Sequence, residues 1–348
     1  MGVPGTQAAL AHPFAGSSGG SLSEPAPTLL TVSDLRVQFQ SRGRIVRAVE
    51  GITFSVKQGS TLAVIGESGS GKSVTSRAIL GLLPKNTVVT GGVEFNGQQL
   101  LGLPDRSMRE IRGRDIGFVP QDPARSLNPT LRVGQQVVEA LRIHNRELSR
   151  KDAQTRAIEL LSRVRIPSAS QRFHDYPHQL SGGMRQRVLI AMALACSPKL
   201  VIADEATTAL DVTTQEQIMS LLLEIQGEAR MALLLISHDL ALARAYADDL
   251  VVMYAGRVVE AGSSEDVFTE VRMPYTEALL EAIPSGDATS GRLVAVPGQP
   301  PDPSLAPEVG CVFAARCGRA EERCLLEKPI EEEDPKGHRW SCFYALGQ

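Results

Sequence analysis

Residues 66–73 of the chain, GESGSGKS, have the residue types and spacing of a phosphate-binding loop. They follow the apolar run Thr61–Ile65 and precede a helical pattern that ends at Pro84. Glycines let successive backbone N–H groups turn toward phosphate oxygens, and the beginning of a helix contributes its positive end. We therefore expect Lys72 to reach the β- and γ-phosphates of a nucleotide and the Ser73 hydroxyl to coordinate Mg²⁺. The nucleotide-binding residues predicted in this loop are Gly66, Ser68, Gly69, Ser70, Gly71, Lys72 and Ser73.

A second apolar run, Leu200–Ala203, ends in the adjacent acids Asp204 and Glu205. We expect Asp204 to hold Mg²⁺, directly or through water, and Glu205 to polarise the attacking water. Two acids after an apolar run are by themselves typical of a strand that reaches solvent. Their combination with a phosphate-binding loop favours the catalytic interpretation.

The signature segment, residues 178–187 (HQLSGGMRQR), predicts a second anion-binding helix N-terminus. Ser181, Gly182 and Gly183 stand just before a helical run in this segment. One nucleotide does not need two such loops from one subunit. We therefore infer that the signature segment contacts a nucleotide held by another subunit.

Short apolar runs between helical patterns indicate an α/β protein with a partly parallel sheet that positions these residues. Thr61–Ile65, Leu200–Ala203 and Ala232–Ser237 are continuously apolar, as strands buried on both faces should be. Two earlier segments, LLTVSDLRVQF and GITFSV, alternate apolar and polar residues and are predicted to be strands. Asn96-Gly97 predicts a tight turn, and DLVVMYAGRVVEAG predicts a late hairpin.

The composition changes along the chain and divides it into predicted parts. Residues 1–28 contain no Lys or Arg, are rich in Gly, Ser, Pro and Ala, and are expected to form a disordered extension. Residues 29–284 form the expected α/β domain, with a helical subdomain at about 100–184 in which Ser149 caps a helix. Residues 285–348 form the expected C-terminal extension and contain four of the five cysteines.

The bulk composition argues against some partners and compartments. A net charge of -3 and an aromatic content of 4% are not typical of a nucleic-acid-binding protein, so no nucleic acid partner is expected. No secretory signal and no run of about 18 apolar residues is visible, which predicts a chain that stays inside the cell and does not span a membrane.

Taken together, these motifs resemble the ATP-binding-cassette (ABC) ATPases over about residues 29–284. The resemblance implies an α/β fold with an ABC-type P-loop ATPase core, an antiparallel β subdomain and a helical insertion. A small, irregular, Cys-rich C-terminal module is expected in addition. The implied activity is ATP hydrolysis with Mg²⁺, coupled to transport.

The resemblance also implies roles for single residues. Gln121 of FVPQDP would contact Mg²⁺ or water and face the membrane partner. Ser181 and Gly183 would contact the γ-phosphate across a dimer, with Asp211 of ALD at the dimer seam. His238 of LISHD would contact the γ-phosphate of its own subunit's nucleotide.

Phe39 matches the position at which the family places an aromatic ring against adenine. Phe39 also alternates with Leu35 and Val37 on one strand face, which is typical of a core residue. Both interpretations stay open at this point.

Within the ABC ATPases, several stretches resemble the oligopeptide/dipeptide importer group: GESGSGKSVTSRAILGLLP, FVPQDPARSLNPTLRVGQQ and PGQPPDPSLAPEVGCVFAARC. This resemblance implies uptake of di- or oligopeptides, although nickel importers share the same ATPase type. The implied partners are two membrane permease subunits, an extracytoplasmic substrate-binding protein and a second, related ATPase subunit. The chain would lie peripherally on the cytoplasmic face of the membrane. The alternative is a soluble ABC ATPase without a transport role.

Four cysteines, Cys311, Cys317, Cys324 and Cys342, lie close together in the sequence. Their spacing lacks the tight C-x₂-C pairs of most zinc sites, and an intracellular location disfavours disulfides. Four thiolates gathered from irregular backbone suit an iron–sulfur cluster. The resemblance associates this extension with a [4Fe–4S] cluster, while zinc and metal-free cysteines remain alternatives.

Overall fold

The computed structural model describes residues 26–41, 44–206, 211–283, 296–301 and 309–347. The strands, in chain order, are β1 (Thr28–Ser41), β2 (Arg44–Lys57), β3 (Thr61–Ile65), β4 (Thr87–Phe95), β5 (Gln98–Gln99), β6 (Ile116–Val119), β7 (Leu200–Asp204), β8 (Ala232–Ser237), β9 (Asp249–Tyr254), β10 (Arg257–Ser263), β11 (Glu332–Glu333) and β12 (Arg339–Trp340). The α-helices are α1 (Lys72–Ile79), α2 (Asp105–Ile111), α3 (Pro123–Ser126), α4 (Val133–His144), α5 (Arg150–Arg163), α6 (Ala169–Arg172), α7 (Gly182–Ala193), α8 (Val212–Ala229), α9 (Leu240–Tyr246), α10 (Ser264–Thr269), α11 (Pro274–Glu281) and α12 (Glu322–Leu326).

The smaller sheet is antiparallel, in the order β2-β1-β4-β5. Its strands alternate apolar and polar residues, and the apolar side chains on its inner face, such as those of Leu30, Val32 and Val37, are fully buried. Asn96 and Gly97 have φ angles of 50° and 79°, the left-handed conformation that a two-residue hairpin turn requires. The predicted early strands and this turn are confirmed.

The larger sheet has the order β11-β12-β10-β9-β3-β8-β7-β6. The strands from β9 to β6 run parallel, and the late hairpin predicted from the sequence is the antiparallel pair β9–β10. Strands β3, β7 and β8 are buried along their whole length, as their continuous apolar sequences predict. Because parallel strands end at the same edge of a sheet, the segments that follow β3, β6, β7 and β8 lie together.

The helices between β6 and β7 form one packed group beside this sheet. Helix α5 begins at its predicted cap, where the Ser149 hydroxyl accepts a hydrogen bond from the Asp152 N–H at 3.1 Å. Its inner face, with Ala153, Ala157 and Leu161, packs into the main core. The expected helical range of 100–184 also contains β6, a strand of the larger sheet, so α3 to α6 all follow that strand.

The C-terminal segment, residues 309–347, packs onto the cassette, so the small, irregular, Cys-rich module that the sequence predicts is not confirmed. Strand β12 pairs with β10 and β11 pairs with β12, so the segment extends the ATPase sheet. Val312 and Phe313 lie in the same buried cluster as Ile65 of β3. A segment with so few apolar residues cannot build its own core, so it buries them against the cassette.

The predicted N-terminal extension and parts of the predicted C-terminal extension lie outside the described residues. Of the 1–28 extension, residues 1–25 lie outside them, and β1 already includes Thr28. Between the cassette and the C-terminal segment, residues 284–295 and 302–308 lie outside them as well.

Candidate functional site

The predicted phosphate-binding loop lies between β3 and α1, at the carboxyl edge of the parallel strands. Gly66 has a φ of 149°, and a Cβ atom there would lie 2.1 Å from the carbonyl oxygen of Met253. Gly71 has a φ of 101°, and its Cβ would lie 2.5 Å from the carbonyl oxygen of Ala48. Both positions therefore require glycine, because the backbone of neighbouring strands approaches the loop too closely for a side chain.

Lys72 is the first residue of α1 and points back over the loop. Its Nζ donates hydrogen bonds to the carbonyl oxygens of Gly66 at 2.7 Å and Glu67 at 2.9 Å. Burial lowers the pKa of Lys72, although the nearby carboxylates of Glu205 and Asp204 oppose that effect. An ammonium group held inside the loop in this way is in position to exchange these carbonyl contacts for phosphate oxygens.

Asp204, at the end of β7, accepts two hydroxyl hydrogen bonds from α1. Ser73 Oγ donates to its Oδ1 at 2.7 Å, and Ser76 Oγ donates to its Oδ2 at 3.2 Å. Burial raises the pKa of Asp204, and the two hydroxyl groups oppose the rise. A carboxylate and a hydroxyl oxygen are the hard donors that Mg²⁺ prefers, so Ser73 and Asp204 fit the predicted metal role.

Ser76 was missed by the motif analysis. It lies one helical turn after Ser73 and therefore on the same face of α1. The i, i+3 spacing of two hydroxyl residues after the loop is the signal that could have identified it.

Glu205 lies at the centre of the predicted catalytic residues. Its Oε2 accepts a hydrogen bond from Gln121 Nε2 at 2.6 Å, and its Oε1 lies 4.0 Å from Lys72 Nζ and 3.9 Å from His238 Nδ1. The three chain segments that supply Gln121, Glu205 and His238 follow β6, β7 and β8. Glu205 has a φ of 49°, a left-handed conformation that is uncommon outside glycine and turns the carboxylate away from the strand direction.

The signature segment is not part of the group around Glu205 and packs against the beginning of α8. Ser181 caps α7 by accepting a hydrogen bond from the Met184 N–H at 3.2 Å, and a Cβ on Gly183 would lie 2.8 Å from Thr214 Cγ2 of α8. Asp211 caps α8 by accepting hydrogen bonds from Thr214, which lower the pKa of this carboxyl. Gly182 is the first residue of α7. The predicted residues thus form two groups, one around the phosphate-binding loop and one at the starts of α7 and α8.

Phe39 is half-buried on β1 and packs against the core of the smaller sheet. This position accounts for its alternation with Leu35 and Val37, which are fully buried. Its predicted contact with adenine stays a prediction.

Cys311, Cys317, Cys324 and Cys342 line one cavity under α11, where Met273 and Phe313 form part of its wall. All four are free thiols. Burial raises the pKa of Cys311 and Cys317 and raises that of Cys342 to about 11, which favours the neutral thiol over the thiolate.

The described residues contain no group of three or more His, Cys, Asp or Glu side chains arranged to hold a metal ion. The predicted iron–sulfur cluster is therefore not confirmed.

None of the helices in the described ranges is long and apolar enough to cross a membrane.

The fold and the phosphate-binding loop are those of an ABC ATPase, and comparisons with known proteins agree. The family model for the ABC transporter matches residues 49–208, and that for the oligopeptide/dipeptide transporter C-terminal region matches residues 259–324. The ATP-binding cassette MJ0796, in a dimeric post-hydrolysis state bound to ADP and Pi, superimposes with a TM-score of 0.62 at 29% identity over 68% of this chain and 99% of that one. The cassette cbiO1 of Clostridium perfringens, part of the ABC transporter complex cbiONQ, gives a TM-score of 0.59 at 30% identity over 71% and 92% of the two chains.

Two similar relatives narrow the assignment. The oligopeptide transport ATP-binding protein OppD of Escherichia coli K12 is 45% identical over 320 residues, 92% of this chain and 94% of the relative. The dipeptide transport ATP-binding protein DppD of the same organism is 47% identical over 319 residues, 91% and 97% of the two chains. The chain belongs to the family of ATP-binding proteins of oligopeptide and dipeptide ABC transporters.

Proposed function

We propose that this chain is the ATP-hydrolysing subunit that powers uptake of di- and oligopeptides through a membrane permease. The observation that carries the proposal is the position of Glu205 against Gln121, Lys72 and His238, beside the paired oxygens of Ser73 and Asp204. Identities of 45% and 47% to the oligopeptide and dipeptide relatives support the choice of substrate class.

The chain's own groups suit hydrolysis of the terminal phosphate. Lys72 would exchange its contacts with the loop carbonyls for the β- and γ-phosphate oxygens. Glu205 would polarise the attacking water, with Gln121 fixing the carboxylate and His238 contacting the γ-phosphate. Mg²⁺, when held by Ser73 and Asp204, supplies positive charge that offsets the charge of the phosphates.

The second group of predicted residues requires a second subunit. Ser181, Gly182 and Gly183 lie with Asp211 and α8, and we propose that they contact ATP held by a partner ATPase, most simply a related but different chain. The complete importer would add two permease subunits and an extracytoplasmic substrate-binding protein. The chain would then lie on the cytoplasmic face of the membrane.

The test is to purify the chain with its membrane partners, reconstitute the complex in vesicles, and measure ATP hydrolysis with peptides, with nickel and without ligand. We expect hydrolysis to rise when a peptide-loaded binding protein is present. Stimulation by nickel alone would assign the complex to nickel uptake. A chain that hydrolyses ATP without any co-purifying membrane protein would contradict the transport role.

We also propose that Cys311, Cys317, Cys324 and Cys342 hold an iron–sulfur cluster. Support comes from the cavity that all four line and from the chemistry of four cysteines, which is the donor set of such clusters. Because binding requires thiolates, a cluster would release the protons that burial now retains. A bound cluster supplies a covalent cross-link between the start of the C-terminal segment, α12 and the end of the chain.

Anaerobic purification of the full chain, followed by iron and sulfide analysis, tests the cluster. We expect brown protein with iron and acid-labile sulfide in equal amounts, and loss of both in Cys324→Ser. One equivalent of zinc without sulfide would show that the four cysteines form a zinc site and not an iron–sulfur cluster. Colourless protein without either metal would contradict the proposal.

A further inference from the structure

The C-terminal segment contacts the phosphate-binding loop through a buried ion pair. Arg316 donates from Nη1 to Glu67 Oε2 at 2.5 Å and from Nη2 to Glu67 Oε1 at 3.0 Å. Glu67 is the second residue of the loop. A bidentate arginine–carboxylate pair fixes both the distance and the plane of the carboxylate.

Arg316 is itself held from several sides. Its Nε donates to the carbonyl oxygen of Pro297 at 2.6 Å, and Nη1 donates to the Tyr254 hydroxyl at 3.2 Å. The guanidinium lies 5.7 Å from the ring centroid of Tyr254 and 5.9 Å from that of Phe313. The arginine side chain is only 5% exposed. Exposed ion pairs contribute little to stability, because forming them restricts two mobile side chains. In this pair the other contacts of Arg316 already restrict its side chain, so pairing with Glu67 costs less entropy.

A second contact holds the backbone of the same residue. The N–H of Glu67 donates to the Tyr275 hydroxyl at 2.9 Å, and Tyr275 is fully buried at the start of α11. The ring centroids of Tyr275 and Tyr254 are 4.6 Å apart, and each lies 5.3 Å from the Phe313 ring centroid. Side chain and backbone of Glu67 are therefore both fixed by one aromatic cluster and the arginine that packs on it.

The carbonyl group of Glu67 faces the nucleotide machinery. It accepts a hydrogen bond from Lys72 Nζ at 2.9 Å, and it also accepts one from the Ser70 N–H at 3.2 Å. The orientation of Glu67 thus determines where the loop backbone and the Lys72 ammonium lie.

We propose that Arg316 is a positioning residue for ATP, which holds the phosphate-binding loop in its nucleotide-competent conformation through Glu67. The inference rests on the proposed role of this loop in ATP binding. Arg316 acts through Glu67, the loop residue with which its guanidinium pairs. Loss of the ion pair lets the loop adopt other conformations, and nucleotide affinity falls in proportion to the fraction of molecules that remain competent.

The test uses the full chain with Arg316→Gln, Glu67→Gln and the double variant. We expect the Kd for MgATP and the Kd for MgADP to rise together, about tenfold if the competent fraction falls to about a tenth. The double variant should be no weaker than Arg316→Gln, because both single changes remove the same interaction.

The matched control is Arg339→Gln, in another arginine that ties the C-terminal segment to the cassette. Arg339 donates to the carbonyl oxygen of Thr53 on β2 at 3.4 Å and pairs with Glu331 at 3.2 Å. It should leave both nucleotide affinities unchanged. Equal loss of affinity in this control would mean that any weakening of the attachment acts on the loop, and it would contradict a specific role for Arg316.

Hydrolysis by the complex with its partners separates positioning from general damage. Arg316→Gln should raise the KM for ATP and leave kcat at saturating ATP unchanged, because ATP restores the competent loop. A merely structural role would lower the amount of active protein, and so kcat, at constant KM. If Arg316→Gln fails to fold, Glu67→Gln tests the proposal instead, since the Glu67 side chain lies outside the aromatic cluster.

Two further outcomes would overturn the proposal: unchanged affinity in folded Glu67→Gln, or losses that add in the double variant. A wild-type chain that binds no ATP would instead contradict the proposed function.

Discussion

Glu205 receives its position from both backbone and neighbours. The left-handed φ of 49° turns it out of β7, and its N–H donates to the carbonyl oxygen of Ile236 on β8 at 2.9 Å. The Gln121 amide then fixes one carboxylate oxygen at 2.6 Å, while Lys72 lies 4.0 Å from the other. A carboxylate that is oriented in this way, beside the oxygens expected to hold Mg²⁺, is suited to polarise water.

Glu205→Gln should retain ATP binding and lose hydrolysis. The amide keeps the shape of the side chain and can still accept a hydrogen bond from Gln121, but it cannot take a proton from water. Removal of a general base costs about 10²- to 10⁴-fold in rate. ATP affinity of the full chain and ATP hydrolysis by the assembled complex are the two measurements.

Glu159→Gln is the control for Glu205→Gln, because Glu159 is an exposed acid on α5. It should hydrolyse ATP as the wild type does. Hydrolysis at the wild-type rate in Glu205→Gln would contradict the role of Glu205 as the general base.

The residues of this site that the sequence predicted are those in contiguous motifs. Lys72, Ser73 and Asp204 follow from loop chemistry and from the ends of buried strands, which are local properties. Arg316 contacts Glu67 across 249 positions, and no local pattern marks it. Such a pair depends on how the C-terminal segment packs, so single-sequence reasoning had no basis for predicting it.

At the scale of elements, α7 and α8 approach closely at Gly183 and Thr214. A Cβ on Gly183 would lie 2.8 Å from Thr214 Cγ2, closer than real side chains approach. Thr214 cannot move away freely, since its hydroxyl donates to Asp211 Oδ2 at 2.7 Å within the cap of α8. The signature segment is thus held in a fixed relation to the residues predicted at the dimer seam.

Gly183→Ala should destabilise the chain and abolish hydrolysis by the complex. Overpacking of this kind costs about 1–3 kcal/mol, measurable by urea denaturation. Adding Thr214→Ser removes Cγ2 but keeps the hydroxyl, and it should recover most of the lost stability. Hydrolysis should stay low in the double variant, because the proposed contact of Gly183 with the partner's nucleotide leaves no room for an added methyl group.

Thr214→Ser alone is the control for this pair and should be close to wild type in both assays. Full recovery of hydrolysis in the double variant would mean that Gly183 serves only packing between helices. That outcome would contradict its proposed contact with the partner's γ-phosphate.

The sequence predicts the strands whose apolar pattern is continuous and long enough to be distinctive. β3, β7 and β8 are short continuous apolar runs and were predicted as buried strands. The two-residue strands β11 and β12 carry no such pattern, and only the pairing of β12 with β10 and of β11 with β12 makes them strands. For that reason the C-terminal segment was expected to be a separate irregular module.

At the scale of the whole molecule, the C-terminal segment and the cassette share one core. Phe313 is 2% exposed and packs against Tyr254 of β9 and Tyr275 of α11. His338 Nε2 lies 2.9 Å from Glu260 Oε1 of β10, and both side chains are fully buried. These contacts attach the segment to the cassette near both of its ends, so the segment and the cassette should unfold as one unit.

Phe313→Ala tests this unity in the full chain. Removal of a buried phenyl ring costs about 3–5 kcal/mol, and because the core is shared, the single unfolding transition should move as a whole to lower urea concentration. Leu325→Ala is the control, because this apolar side chain in the same segment is 62% exposed. It should shift stability by less than about 0.5 kcal/mol.

Two signals separate the cassette from the C-terminal segment during unfolding. Circular dichroism would follow the helices of the cassette, and fluorescence of Trp340, the chain's one tryptophan, would follow the C-terminal segment. Coincident transitions in both signals are expected in the wild type and in Phe313→Ala. An early loss of the Trp340 signal while the cassette stays folded would mean that the segment is an independent module, as its composition first indicated.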